Sequence, residues 1–398
     1  MSEFTQNQSR RIRLLQELCH LILDTGNAKP FLDQHPAFIE EVVPDDFIHL
    51  FDTMVLESQD WKALKTLTNK LLNIFYKQIN QYPSLEPTPD SFLGWMIQNN
   101  QVMADSLQSL RPLYKQFMKD SQPSIHRQEL LAAIIRLKLF TQHFTLKENI
   151  LFPAIEKHWP HYRCIQIMWS FHDDIRDSLS ILEAELSTSD YQLPIINRKM
   201  GDLFFNLLAI RFREEKILYP AILSSIEEDE LEEMKWEAAA MGFPYISPEE
   251  QFNQKLKSSE PKPSHMLDLG TGHLMIEQIK LIFNHLPVDI TYVDENDQVQ
   301  YFSEPPHRIF PRTAAIIGRS VSLCHPPESV HVVEKIVDSF RKGEKDHADF
   351  WIRMKGRLLL IRYFAVRDQY SNYRGVLEVS QDVTNIQELT GEKRLLDW

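Results

Sequence analysis

Three side chains able to bind a metal or hold a proton interrupt stripes that are otherwise apolar. Ala132, Ile135, Leu139, His143, Leu146 and Ile150 recur at three- and four-residue intervals. So do Ile165, Trp169, His172, Ile175 and Leu179, and again Leu203, Leu207, Ile210, Glu214 and Ile217. Residues spaced in this way share one helix face, so His143, His172 and Glu214 are expected to point at a common interior. A carboxylate there must be protonated, ion-paired or metal-bound, because a lone charge in an apolar medium is costly. Two histidines and one carboxylate are the donor set of open non-haem Fe(II) sites. Lys147, one turn after His143, supports a competing account. It neutralises Glu214, and a Lys–Glu–His network then joins the helices without a metal. From spacing alone the network outweighs the metal, since structural ion pairs are common. His20, His35 and His49 are single and scattered, and are taken as solvent-facing or core residues.

The elements that must position these groups are long helices. Apolar periodicity predicts segments over about 91–119, 124–157, 163–187 and 194–224, joined by short loops as an up-down bundle requires. A shorter acidic helix over 226–241 ends at Gly242. The segment Glu148-Asn149-Ile150-Leu151-Phe152-Pro153-Ala154-Ile155 returns 67 residues later as Glu215-Lys216-Ile217-Leu218-Tyr219-Pro220-Ala221-Ile222. Matching helix ends at that separation imply paired helical hairpins. Pro153 and Pro220 are expected to kink or terminate their helices. Before the bundle, 1–82 reads as a small helical domain. After it, 243–264 holds four prolines with Ser, Lys and Glu, and reads as a linker. From 265 to 398 the pattern changes to a helix over 274–286, a hairpin Asp289–Val293 and Val299–Phe302, a helical middle, then strands at 348–354, 357–367 and 375–382. That is an α+β unit with a five-stranded antiparallel sheet, so the chain is multidomain: all-α first, α+β last.

The totals restrict function. The 398 residues carry a formal net charge of −13 with no visible basic patch, which disfavours nucleic acid. No apolar run approaches the ~20 residues of a membrane span, and the polar N-terminus shows no signal peptide. Three distant cysteines, Cys19, Cys164 and Cys324, fit a reducing, cytoplasmic setting and no disulfide framework.

The quoted bundle residues resemble a haemerythrin-like (HHE cation-binding) domain over about 90–242. The resemblance rests on His143 followed by Lys147-Glu148-Asn149-Ile150-Leu151-Phe152-Pro153, on Met168-Trp169 with His172, and on Arg213-Glu214-Glu215-Lys216-Ile217-Leu218-Tyr219-Pro220. It implies a four-helix bundle that binds a non-haem di-iron centre through His and carboxylates. The positions carried over are His143, His172 and Glu214, with Glu148 as a further carboxylate one step off phase. The first-helix histidine position falls near Ser91, Gly94 and Trp95, the carboxylate four after His143 is Lys147, and the fourth-helix histidine is Ile210. At most a single iron would then remain.

The C-terminal region resembles a PAS domain, as found behind domain-of-unknown-function family 438 and a haemerythrin-like bundle. The matching segments are Leu286-Pro287-Val288-Asp289-Ile290-Thr291-Tyr292-Val293-Asp294, Arg308-Ile309-Phe310-Pro311-Arg312, Cys324-His325-Pro326-Pro327, Ile361-Arg362-Tyr363-Phe364, and the chain end Glu392–Trp398. PAS domains sense ligands or dimerise. A photoactive flavin type is disfavoured, since Val321 and not a cysteine stands where that type needs one. Haem or a small ligand is the alternative, with Cys324, His325 and His331 as donors. The competing account of Cys324-His325-Pro326-Pro327 is a turn leading into a helix near Glu328, and it is preferred. The resemblances together imply a cytosolic sensory or regulatory protein, more a regulator than an enzyme. Its output would pass to a protein partner, with a homodimer through the PAS domain. The alternatives are a non-haem iron protein handling oxygen or nitric oxide, and a metal-free scaffold.

Overall fold

The computed structural model describes residues 3–58, 60–119, 124–246 and 266–392. Most of the expected linker, and 393–398 at the chain end, lie outside those residues. The chain divides into two compact units, 1–255 and 256–398.

The first unit is helical. It opens with α1 (Glu3–Thr25), α2 (Lys29–Gln34), α3 (Phe38–Glu41), α4 (Pro44–Glu57) and α5 (Trp61–Gln81). Asp60 caps α5 by accepting from the Ala63 N–H at 3.0 Å, which satisfies one of the N–H groups a helix start leaves open. The bundle follows with α6 (Phe92–Lys119), α7 (Ser124–Lys138), α8 (Thr141–Leu146), α9 (Phe152–His158), α10 (Cys164–Ser187), α11 (Leu193–Arg213), α12 (Tyr219–Leu223) and α13 (Glu228–Met241). Packing runs α6 on α7, α7 on α10, α10 on α11 and α11 on α6, which closes a four-helix ring. Leu15, Phe38, Phe75, Met96, Ile150, Leu182 and Leu203 belong to one continuous core, so the first five helices share it with the bundle. Asp52 of α4 accepts from the Arg163 backbone and guanidinium, and Lys65 of α5 donates to Asp174 of α10 at 2.8 Å.

Two departures from the periodic expectation matter here. The second bundle helix breaks at 139–140, between α7 and α8. Ile135 and Leu139 therefore turn outward, 47% and 57% exposed, while Ile134, Leu137 and Phe140 line the core. The break shifts the phase of the stripe, so the face drawn through Ala132, Ile135 and Leu139 does not run on to His143. Second, single π-helical turns, Lys147–Leu151 and Glu214–Leu218, precede α9 and α12. In each, the N–H of the aromatic residue before the proline reaches back five residues, Phe152 to Lys147 and Tyr219 to Glu214. Pro153 and Pro220 follow in the first turn of the next helix, where a missing N–H is tolerated. The prolines thus neither end nor sharply break the helices; the wider turn absorbs the lost donor.

Among its described residues the second unit opens with a short hairpin that the periodicity missed, β1 (Met266–Asp268) and β2 (His273–Met275), then α14 (Ile276–His285). A five-stranded antiparallel sheet is built from β3 (Asp289–Asp294), β4 (Val299–Phe302), β5 (His347–Met354), β6 (Arg357–Arg367) and β7 (Tyr373–Asp382), in the order β4-β3-β7-β6-β5. Helix α15 (Val330–Arg341) covers it, burying Val333, Val337 and Phe340 with Val293, Val299 and Val376. Gly375 lies where β7 meets β3. It has φ +129°, and a Cβ there would fall 2.0 Å from the Val293 carbonyl oxygen, so no side chain fits.

Candidate functional site

The site lies where the repeated segments face each other across the bundle. Lys147 and Glu214 each open a π-turn and are fully buried, as are His143 and His172. Lys147 Nζ donates to Glu214 Oε1 at 2.5 Å, and Tyr219 Oη donates to Oε2 at 3.1 Å. Asn100 Nδ2 also donates to Oε2, at 3.0 Å, and Asn100 Oδ1 accepts from His143 Nε2 at 3.1 Å. One chain of bonds therefore links α6, α8 and both π-turns.

A second cluster adjoins it. Glu148 accepts from His172 Nδ1 at 2.8 Å and from both terminal nitrogens of Arg176, each at 2.8 Å. The His172 ring lies between Phe144 (centroids 4.2 Å apart, interplanar angle 12°) and Phe152 (5.8 Å, 6°). Burial pushes His143 well below the ordinary histidine value, with Lys147 and His172 adding to the effect. Burial likewise brings His172 down to about 4, against the pull of Glu148. Both rings are therefore neutral at pH 7. Burial lowers the Lys147 ammonium, though Glu214 opposes the shift. Burial alone would raise Glu148, but Arg176 and His172 outweigh it and hold the carboxyl below its usual range.

These partners set the tautomers. His143 gives its Nε2 proton to Asn100 and His172 its Nδ1 proton to Glu148, so His143 Nδ1 and His172 Nε2 are left as bare lone pairs. Neither has a partner. A carboxylate behind a histidine is also the usual outer support of a metal ligand. The carboxylates themselves are occupied: every oxygen of Glu148 and Glu214 accepts from a side chain. An ammonium also stands where a di-iron centre would need a carboxylate. Among the described residues no three His, Cys, Asp or Glu side chains group to hold a metal ion. The residues present do not fit a di-iron centre. At Gly94, among the residues near the expected first-helix position, a Cβ would lie 2.1 Å from the Thr88 carbonyl oxygen, so no side chain fits there.

Asn100, Tyr219 and Arg176 were not singled out from the sequence. Asn100 continues the buried stripe Met96, Met103, Leu107 and Leu110 of α6 at three- and four-residue spacing. Arg176 is one turn beyond His172. Tyr219 differs from its counterpart Phe152 by the one hydroxyl that reaches Glu214.

In the second unit the three candidate donors stand in different surroundings. Cys324 is buried and its thiol donates to the Ser320 carbonyl. His331 is exposed on the first turn of α15. His325 is half-buried, and desolvation takes it to about 4, with Glu378 opposing and Arg312 and Arg319 reinforcing. Residues 325–329 form a turn before α15, which starts at Val330, two residues from the expected Glu328, with Ser329 bonded to the Pro326 carbonyl. Tyr363 and Glu378 pair across β6 and β7, and burial raises the Tyr363 hydroxyl with Glu378 adding to it. Arg312 Nε and the Tyr373 hydroxyl are buried without partners.

Two family profiles match. Residues 93–222 match the haemerythrin HHE cation-binding domain, and residues 279–384 match a PAS domain. The chain thus has a helical region with a haemerythrin-like domain, followed by a PAS-like domain with a five-stranded antiparallel sheet. No curated protein matches it. Among solved structures, a C-terminal domain from Streptococcus mutans is 37% identical over 32% of this chain and all of that one, with a TM-score of 0.31. A PAS domain from Colwellia psychrerythraea is 14% identical over 28% of this chain and 98% of that one (TM-score 0.23), and a sensory box sensor histidine kinase from Vibrio cholerae is 14% identical over 27% and 90% (TM-score 0.22). The HHE domain thus encloses the Lys147–Glu214 network, and the PAS domain encloses His325 and its charged neighbours.

Proposed function

We propose that this chain is a sensory regulator in which the PAS domain receives the signal and the HHE bundle is a helical body held by an ion-pair network in place of a di-iron centre. The fully buried Lys147–Glu214 pair carries this reading. Its ammonium occupies a ligand position of the fold, and the carboxylate it neutralises has no free oxygen. The test is iron content, measured by mass spectrometry on the full chain purified aerobically and anaerobically. The expected result is well under one iron per chain in both. About one iron per chain, lost in His143→Ala and His172→Ala, overturns the reading in favour of a single-iron protein handling oxygen or nitric oxide. The two unpartnered imidazole nitrogens are the observation that favours that second reading.

For the PAS domain we propose a small polar ligand near Arg312, His325, Tyr363 and Glu378, and output through contact with a second copy or a protein partner. Trp351 on the edge strand β5 is 71% exposed between Phe350 (37%) and Ile352 (41%), and such an edge is a ready pairing surface. Light scattering of the full chain is expected to show a dimer that Trp351→Lys dissociates. A dimer unchanged by that substitution removes β5 from the interface.

A further inference from the structure

A cleft open to solvent lies between α5, α10 and α11 and encloses about 420 Å³, a size typical of small-ligand sites. Two polar side chains of its wall are more than nine-tenths buried, Ser178 (2% exposed) and Asn206 (9%). Neither has a hydrogen-bond partner among the described residues. Buried polar groups are as a rule hydrogen-bonded, so these two, lining an open cleft, call for a polar occupant.

Cross-helix contacts fix the order of residues along the cleft. Lys199 Nζ donates to Asp177 at 2.6 Å at one end, and Lys65 Nζ donates to Asp174 at 2.8 Å in the middle. Toward the other end Asn69 Oδ1 accepts from Arg213, whose guanidinium lies 4.4 Å from the centroid of the Phe171 ring. Lys62, one turn before Lys65, and Arg198, beside Lys199, therefore stand at the first end with Ser178. Among the described residues neither cation is paired with a carboxylate. Asn69, Phe171, Phe205 and Asn206 stand at the far end. Asp202 lies between, also without an ion-pair partner among the described residues. From Lys62 to Asn69, and from Lys199 to Asn206, is two turns of helix, about 10 Å.

We propose that this cleft binds a nucleoside monophosphate, with the phosphate at the Lys62 and Arg198 end, the ribose beside Asp202 and the base against Asn206 and Phe205. A guanidinium and an ammonium meet a phosphate through charge-assisted bonds. Lys62, Lys65, Arg198 and Lys199 against Asp174, Asp177 and Asp202 leave the wall positive in a chain of net charge −13, which favours an anion. A carboxylate accepts from ribose hydroxyls. An Asn amide, with donor and acceptor side by side, matches an adenine edge, and Phe205, 40% exposed, offers a face for stacking. A free phosphate would fill one end of the cleft and leave Asn206 unmet. The inference depends neither on a PAS ligand nor on whether the bundle holds iron.

Calorimetric titration of the full chain with AMP, adenosine and ribose 5-phosphate tests it. AMP is expected to bind at least tenfold more tightly than adenosine, which lacks the phosphate, and than ribose 5-phosphate, which lacks the base. Arg198→Gln, at an exposed position, is expected to weaken AMP at least tenfold and to leave adenosine unchanged. Asn206→Leu is expected to bring AMP down to the affinity of ribose 5-phosphate. No AMP binding by the unmodified chain overturns the proposal. So does equal affinity for AMP and ribose 5-phosphate, which would leave a sugar-phosphate site, and so does an AMP affinity unchanged in Arg198→Gln, which would put the nucleotide elsewhere on the chain. The comparison of probes needs no variant to fold.

Discussion

At the residue scale, the bundle centre is a problem of buried charge. A pair such as Lys147 and Glu214 contributes little net stability, because desolvating both ions offsets their attraction; removing one partner is far worse than removing both. Lys147→Met is expected to lower the unfolding free energy by about 3–5 kcal/mol, and Lys147→Met with Glu214→Leu should recover most of that loss. Urea denaturation of the three proteins measures it; a double variant as unstable as the single one would mean that packing, not charge, dominates. The histidines add a pH dependence. The folded value of His172, about 4, lies below the unfolded value of 6.5. Between those values the unfolded chain holds a proton that the folded chain lacks, so stability falls as pH drops through that window and is level above it. The full effect is about 3 kcal/mol. Urea midpoints from pH 8 to 4 should follow that course, and His172→Gln should make it shallower, with His143, which burial also lowers, supplying the remaining fall.

At the element scale, two backbone features decide where side chains can stand. The π-turns begin at Lys147 and Glu214, and prolines follow each of them because a wide turn has no use for the missing N–H. Gly94 keeps the start of α6 against the Thr88 carbonyl. Gly94→Ala is expected to cost about 1–3 kcal/mol through overpacking, seen as a lower urea midpoint. Gly375 plays the matching part in the PAS sheet. Gly375→Ala would combine an unfavourable φ with a clash against Val293 and should open the β3–β7 pairing. Hydrogen exchange should then quicken at 289–294 and 373–382; unchanged protection there would show that the sheet can absorb the Cβ.

At the scale of the whole molecule, each unit keeps its own core and its own polar cluster. The first closes over Lys147, Glu214 and two neutral imidazoles. The second closes over His325, Glu378 and Arg312. Among the described residues no helix is long and apolar enough to cross a membrane.

Much of this was written in the sequence because it depends on local rules. The repeated Ile-Leu-aromatic-Pro-Ala segments announced a paired-hairpin bundle, alternation announced the sheet strands, and the stripe of α10 placed His172 inward. Lys147 was legible as a partner for Glu214 from its one-turn offset alone. Other features depend on what meets what. The break at 139–140 and the two π-turns shift helical phase by amounts that a fixed 3.6-residue period cannot carry, so Ile135 and Leu139 proved exposed. Asn100 and Tyr219 join the network because three helices converge there, and each by itself resembles an ordinary core or helix residue. Glu148 bonds His172 from outside, and only packing could distinguish that place from a ligand's. Types and spacings determined which charges would be buried; the tertiary structure decided which of them neutralise one another, because a buried charge is governed by distances across the core.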